Sequence, residues 1–487
     1  MSTHSSKTLS KSKFISFLQC PRRLWLETFR PELVEADESA DARMEAGQHV
    51  GEVARSIFPD GLLIEGESMA ERVAKTREAL NSKPKRPLYE ATFTHENVRV
   101  MVDILQPARN GYRLIEVKSA ASVKDYYLPD VSIQAWVLTG SGLKLSKVEV
   151  AYIDSRFVYQ GNQNYRGLFD HKNVNAEVQK RLPDIPNQVK AALKTLAAKR
   201  EPKDAPGKQC RSPFACPFWH HCAQVQEEYP VETLPRIAGK AQSLREQGYA
   251  DIRDIPESFS LTQSQHFVRK SVTKGKPILL PGAKAAVNAL RYPRYYLDFE
   301  TIDFGVPEWP GTRPYEHIPF QWSCHVEKAD GTLEHHEFLS DVDGDPRRAF
   351  AESLIRCLKK SGPVIVYSAY ENRILRALAK AMSDLAGTLL LIEGRVFDLL
   401  PVARENYYHP DMGGSWSIKG VLPTIAPDLD YSNLAVSHGG QAQAAFLAML
   451  KLPRSSAERE KNRQDLLDYC ERDTLAMVRL ARFFAEQ

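Results

Sequence analysis

The sequence predicts an α/β protein built of several domains. Three observations point there. The chain has 487 residues, enough for about two to four domains of ordinary size. From residue 291 onward, runs rich in β-branched and aromatic residues alternate with helical stretches, the pattern of a sheet flanked by helices. In the first half, two strand-like runs flank Asn110-Gly111, a strong hairpin turn, and helical stretches lie on both sides. Hydrophobic residues at 43% and charged residues at 26% exclude a collagen-like or largely disordered chain.

Taken in order, residues 11–30 carry an apolar helical face of Phe14, Phe17, Leu18, Leu24 and Trp25. Residues 40–57 read as a longer helix closed by Pro59. Residues 97–104 (NVRVMVDI) and 112–117 (YRLIEV) form the hairpin, residues 128–140 a helix and 147–154 (KVEVAYID) a strand. Residues 173–200 have helical spacing and many lysines. Residues 226–290 read as small helices broken at Gly239, Gly248 and Gly275, either a helical linker or a loose helix–hairpin–helix module. The alternating part then runs through strands at 295–302 and 317–327, a helix at 346–360, a buried strand at 363–369, the helix ENRILRALAKAM, and helices at 441–450 and 463–486. The domains expected are 1–225, 226–290 and 291–487.

The net charge of +4 conceals an asymmetry. Residues 1–222 hold 33 basic and 26 acidic side chains, whereas 223–487 hold 32 and 35. The basic excess of the first part gives weak support to a nucleic-acid partner. No stretch reaches the roughly 18 uninterrupted apolar residues of a membrane helix. The polar, basic N-terminus is no secretory signal. Seven cysteines in such a chain point to a reducing, cytoplasmic setting in which clustered thiols bind metal.

Three constellations carry chemistry. In the first, Asp103 lies on one hairpin strand, and Glu116 and Lys118 share a face of the other. Converging carboxylates can hold a divalent cation, which polarises a phosphoryl group while a lysine positions water. A solvated hairpin with a cross-strand ion pair is the alternative. His49 upstream and Gln134 in the following helix complete an ordered set that resembles the PD-(D/E)xK nuclease superfamily in its RecB-like branch. The resemblance implies a restriction-endonuclease-like α/β core with His49, Asp103, Glu116, Lys118 and Gln134 as its site, and His49, Asp103 and Glu116 on the metal. Leu138 stands where the family often has a tyrosine.

The second constellation is Cys210-x5-Cys216-x5-Cys222 with Cys20 far upstream. Four thiolates bind zinc or an iron–sulfur cluster. The zinc reading admits His220 or His221, and free structural cysteines are a third option. One cysteine before the nuclease core and three after it is similar to the layout of RecB-like nucleases of the CRISPR-adaptation type. There the resemblance implies a 4Fe–4S clasp joining the domain's two ends. Phe214, Phe218 and Trp219 beside it read as packing ahead of base stacking.

In the third, Asp298 and Glu300 share one face of a predicted strand. An acid pair on an apolar strand is costly unless cations bind it, and two metal ions can clamp both oxygens of an in-line displacement. Tyr469 and Asp473 share a helix face, and Glu371 follows the buried strand. The order resembles the DnaQ-like 3′–5′ exonucleases of the ribonuclease-H-like fold. That resemblance implies metal acids Asp298, Glu300, Glu371 and Asp473, with Tyr469 orienting water. Asp398, otherwise an N-cap, competes with Glu371 for the third place. Lys419 in GGSWSIKGVLP is either a phosphate contact or a surface lysine.

The reading is a fusion of two nucleases that use Mg²⁺ or Mn²⁺ to hydrolyse DNA, as single strands or at free ends, with RNA left open. The alternatives are one working centre, or a nucleic-acid-binding adaptor with none. Repair, recombination or antiviral defence are the settings that the resemblances imply. No Walker-type loop occurs, so helicase action needs a partner.

Overall fold

The computed structural model describes residues 8–35, 40–223, 227–429 and 431–486. The first seven residues of the polar N-terminus and the expected domain boundary at 225/226 lie outside them. The chain forms two compact units, Met1–Gln224 with Phe304–Glu316, and Val225–Asp303 with His317–Gln487. Among the described residues no helix is long and apolar enough to cross a membrane.

The first unit opens with strand β1 (Leu9–Ser10), helix α1 (Lys11–Gln19) and helix α2 (Pro21–Phe29). The single helix expected over 11–30 is two. Cys20 is extended at φ −163°, ψ 125°, and Pro21 starts α2, because proline disfavours helical backbone in the residue before it and suits a first turn. Helix α3 (Ala40–Ser56), strand β2 (Leu62–Leu63), helix α4 (Met69–Asn81) and strand β3 (Leu88–His95) follow. The hairpin is strands β4 (Val98–Ala108) and β5 (Gly111–Lys118), with Gly111 at φ 127°. Helix α5 (Leu128–Gly140), strand β6 (Leu145–Ile153) and strand β7 (Phe169–Asn173) come next. The helical stretch expected over 173–200 divides into α6 (Asn175–Arg181) and α7 (Ile185–Ala197), and α8 (Trp219–Cys222) is a single turn.

The sheet order is β2-β3-β4-β5-β6-β7, with β1 alongside β4. One face, including Val98, Val100, Val102 and Leu114, packs on α5 through Val131, Ala135 and Leu138. The register of β4 with β5 runs from Ala108↔Gly111 to Ile104↔Ile115 and stops there, while β5 continues beside β6 through Lys118. Asp103 and Glu116 therefore stand where two strands part.

The second unit begins with helices α9 (Ala238–Glu246) and α10 (Gln263–Lys274), strand β8 (Ile278–Leu279) and helix α11 (Gly282–Asn288). This segment, expected to be a connector, shares one core with the C-terminal part. Val231, Leu244, Val268 and Val287 pack with Tyr296, Tyr407, Val478 and Phe484. Strands β9 (Arg294–Ile302), β10 (Ile318–Glu327) and β11 (Leu333–Leu339) are antiparallel neighbours. Helix α12 (Arg347–Cys357) leads to strand β12 (Val364–Val366), helices α13 (Tyr370–Ala381) and α14 (Ala386–Glu393), and strand β13 (Val396–Asp398). Helix α15 (Leu399–Asn406), strand β14 (Tyr407–Tyr408), and helices α16 (Ile418–Ile425), α17 (Gly439–Lys451) and α18 (Ala457–Glu486) complete the chain.

The order β11-β10-β9-β12-β13 makes β9 the central strand, antiparallel to β10 and parallel to β12. Its alternation assigns its faces. Tyr295, Leu297 and Phe299 enter a core with Phe350 of α12 and Leu375 of α13. The other face, with Asp298 and Glu300, meets α18, whose Cys470 thiol lies 3.7 Å from Asp298 Oδ2. Gln321 of β10 donates to Leu466 O at 2.7 Å and fixes α18 along the sheet.

Candidate active sites and a thiol cavity

On β9 and α18 the local pattern places three carboxylates together. One oxygen each from Asp298, Glu300 and Asp473 lies within 4.8 Å of the others. Glu300 and Asp473 are buried and Asp298 is half-buried. Such a group is unfavourable without a cation. Burial and then Asp473 push Glu300 up to about 8. Burial, then Asp473 and Glu300, raise Asp298 well above the usual carboxylate range, and burial also raises Asp473.

Glu371, at the start of α13, lines the same cavity and acts electrostatically on both Asp298 and Glu300. It is buried, its Oε2 has no hydrogen-bond partner, and burial first lifts it to about 7. Asp398 does what a capping residue does. Its side chain accepts from Leu400 N–H at 2.9 Å at the start of α15. Of the two candidates for the third acid, the cavity contains Glu371.

Tyr469 sits one helical turn before Asp473 on α18, as the spacing predicts. Burial and then the Asp473 charge raise its phenol far above the ordinary value, so it stays protonated and is no base, with Asp473 a hydrogen-bond partner. Lys419 Nζ donates to Tyr469 Oη at 3.0 Å and to Ser437 O, half-buried on the cavity wall. The surface reading of Lys419 does not hold. Tyr431 Oη donates to Asp473 Oδ1. Nothing in the sequence pattern marks Tyr431, which reaches the site from a loop. The cavity has about 1030 Å³ of space, and Arg236 and Arg404 also line it. The donor set, all oxygen, buried and mutually repelling, fits divalent cations of the Mg²⁺ or Mn²⁺ kind.

In the first unit, Glu116 is buried beneath two lysines. Lys118 Nζ donates to Glu116 Oε1 at 2.7 Å and to Asp130 Oδ2 at 2.6 Å. Lys11 Nζ donates to Glu116 Oε1 at 2.9 Å. Gln134 Nε2 donates to Glu116 Oε2 at 2.6 Å and to Asp130 Oδ1 at 3.1 Å, while its buried Oε1 has no partner. Burial alone would push Glu116 up, but Lys11 and Lys118 hold it well below the usual range. Asp103 accepts from Val117 N–H at 2.7 Å. Burial and the Glu116 charge lift it to about 7. Four of the five predicted residues are thus brought together, with Lys11 and Asp130 added. A lone lysine opening α1 and an aspartate in the first turn of α5 carry no motif, so sequence reasoning passed over both.

His49 is not brought in. Its side chain is 48% exposed on α3, with Glu52 3.9 Å away as its ion-pair neighbour. The α3 residues that line the cavity with Asp103 include Gln48, Glu52 and Arg55. These are one and two turns apart, and His49 is rotated about 100° off that face.

Cys20, Cys210, Cys216 and Cys222 all line one small cavity with Phe218 and Arg22, and none is in a disulfide. Burial raises the thiols of Cys20, Cys216 and Cys222, the last to about 11. Among the described residues, no three of these sulfurs lie within 4.8 Å of one another. His221 Nε2 is 3.1 Å from Glu201, which also pairs with Arg22, and His220 Nε2 is 3.5 Å from Glu35. Neither histidine lines the thiol cavity. Phe218 is fully buried, Phe214 is exposed against Tyr126, and Arg211 stacks on Trp219. Gln19 of α1 donates to Gln209 O and Phe214 O at 2.6 and 2.8 Å, so the N-terminal helix is tied to the cysteine loop.

A family model described as a domain of unknown function, DUF2779, matches residues 295–417. That stretch contains Asp298, Glu300 and Glu371 and ends before Tyr469 and Asp473. No curated protein matches the chain, and no solved structure does.

Proposed function

We propose that the protein is a metal-dependent nuclease that hydrolyses DNA phosphodiesters, exonucleolytically on single strands or free ends, with two nuclease centres. The observation that carries this is the buried meeting of Asp298, Glu300 and Asp473 in an open cavity that also holds Tyr469, Glu371 and Lys419. Asp298, Glu300, Glu371 and Asp473 would hold Mg²⁺ or Mn²⁺, which supplies Lewis-acid polarisation of the phosphoryl oxygens. The chain's own groups do the rest. Tyr469 keeps its proton and orients water, Lys419 holds Tyr469 in place, and Arg236 and Arg404 offer positive charge to a phosphodiester. A ribonuclease-H-like, DnaQ-like reading of this unit is supported by its acids lying on the central strand and the final helix. In the first unit, the RecB-like reading is supported by Asp103, Glu116, Lys118 and Gln134 converging where β4 and β5 part.

One observation favours a second reading, with a single working centre. Lys11 and Lys118 already occupy one Glu116 oxygen and Gln134 the other, so a cation there competes with two ammonium groups. The acids of the second unit instead raise one another, with Lys419 only partly offsetting them, and Glu371 lines their cavity. The centre to suspect is therefore the first.

Single-stranded DNA labelled at either end separates the readings. Added Mg²⁺ or Mn²⁺ should release label first from the 3′ end, if the second unit dominates. No cleavage of either substrate with either metal overturns the nuclease reading in favour of an adaptor. Within the second unit, Glu371→Gln should lower the rate at least tenfold. Asp398→Ala should cost about 1 kcal/mol through the lost cap and leave the rate within a few-fold. Initial rates and urea melts of both variants check this.

For the thiol cavity, we propose a 4Fe–4S cluster held by Cys20, Cys210, Cys216 and Cys222. The four thiols around one small cavity support it. Both neighbouring histidines are turned to carboxylates rather than to the thiols, which leaves an all-thiolate ligand set. Anaerobically purified protein should be brown with about four irons per chain, and Cys216→Ser should lose most of them. Colourless protein with stoichiometric zinc counts against the cluster.

A further inference from the structure

A second group of metal-ligating side chains lies in the second unit, on the stretch of α18 that also bears Tyr469 and Asp473. Strands β10 and β11 pair with His325 directly opposite His335. Their rings are 4.6 Å apart between centroids. Glu471 of α18 reaches this pair, with Oε1 3.7 Å from His335 Nδ1. One ring nitrogen of each histidine and a Glu471 oxygen all lie within 4.8 Å of one another.

On each histidine one ring nitrogen is hydrogen-bonded to a hydroxyl, which leaves the other for an ion. His325 Nδ1 is 2.8 Å from Thr474 Oγ1, and His335 Nε2 is 2.9 Å from Ser323 Oγ. The two hydroxyls are 2.8 Å from each other. Metal-binding histidines are characteristically held this way, with the outward nitrogen hydrogen-bonded so that tautomer and ring direction are fixed for the other. His325 is buried, whereas the side chains of His335 and Glu471 are 22% and 43% exposed. The site is thus rigid at one ligand and open to solvent at the other two.

We propose that His325, His335 and Glu471 bind a first-row divalent cation of the zinc class. Two imidazoles and one carboxylate suit zinc rather than Mg²⁺, which prefers oxygen. Three protein ligands leave a fourth position for water. The site differs in chemistry from the all-oxygen group of Asp298, Glu300 and Asp473, and it does not rest on the nuclease reading. Its consequence is mechanical. The bound ion staples α18 to the β10–β11 pair at Glu471, two residues from both Tyr469 and Asp473, and so holds the helix on which both depend.

The test uses the full chain with its thiol cavity as purified, stripped of loosely held metal by a chelator and kept in excess Mg²⁺ to fill the oxygen site. Zinc is titrated against a chromogenic competitor, and bound metal is counted after dialysis. The parent should take up one more zinc than His335→Ala, and Glu471→Gln should bind that zinc at least tenfold more weakly. Zinc should raise the melting temperature of the parent and of neither variant. Cobalt added instead should give ligand-field bands in the parent that vanish in His335→Ala, without the strong charge-transfer band of thiolate ligands. If His335→Ala melts below the parent without metal, His335→Gln takes its place. Equal zinc stoichiometry and affinity in the parent and both variants overturns the proposal, as does a parent that binds no zinc beyond what a Cys216→Ser variant loses.

Discussion

Asp298→Asn is expected to abolish metal-dependent DNA hydrolysis by the second unit and, in the same molecule, to stabilise the metal-free protein. The catalytic loss follows from removing one wall of the carboxylate group. Metal-borne charge stabilisation amounts to several kcal/mol, so the rate should fall by about 10³-fold or more. The gain in stability has the same origin. Burial and mutual repulsion lift Asp298 well above its ordinary range, so folding confines a carboxylate that prefers to be neutral. Asparagine keeps the shape and removes the charge, which should raise the stability. Thermal melts in chelator should show the variant above the parent, and Mg²⁺ should stabilise the parent more than the variant.

The same physics sets a pH dependence. Glu300 and Glu371 are raised in the folded chain from 4.5 to about 8 and about 7, so over that interval the native state binds more protons than the unfolded one. Stability of metal-free protein should be greatest below about pH 4.5 on account of these groups. It should then decline as pH rises toward 8. Saturating Mg²⁺ should flatten the decline, since the cation replaces the protons.

Glu116→Ala is expected to act in the opposite direction. Removing this carboxylate leaves the Lys11 and Lys118 ammonium groups packed together, paired with Asp130 and with Asp103 nearby. Breaking one side of a buried ion-pair network costs about 3–5 kcal/mol. Calorimetry should show the first unit melting well below its parental temperature while the second is unchanged. A loss under 1 kcal/mol would mean that the lysines find water, and that the site is more open than its burial indicates. Removing an acid thus destabilises one unit and stabilises the other. That contrast follows from two ammonium groups bonded directly to Glu116, whereas Lys419 only partly offsets the group around Asp298.

What was legible in the sequence was what local chemistry dictates. The β4–β5 hairpin follows from alternation around Asn110-Gly111. The shared face of Asp298 and Glu300 follows from period 2, and the helix turn joining Tyr469 to Asp473 from period 3.6. What stayed hidden depends on tertiary approach. Lys11 and Asp130 come from separate helices to one glutamate. Tyr431 enters from a loop. Strand β11, LEHHEFL, reads as polar, so the pairing of His335 with His325 could not be foreseen. His49 fails for a simpler reason, a rotation of one residue around α3 that no spacing rule detects without knowing which face packs. The break at Cys20-Pro21 was readable from the proline, but the apolar spacing that runs across it concealed it.

The most direct test of two separate centres is hydrolysis by Asp298→Asn, by Lys118→Ala and by the double variant, each with 5′- and 3′-labelled single-stranded DNA and Mn²⁺. If both centres work, each single variant retains the product pattern of the untouched unit and the double variant is silent. A double variant that degrades DNA at the parental rate would contradict the account at both sites.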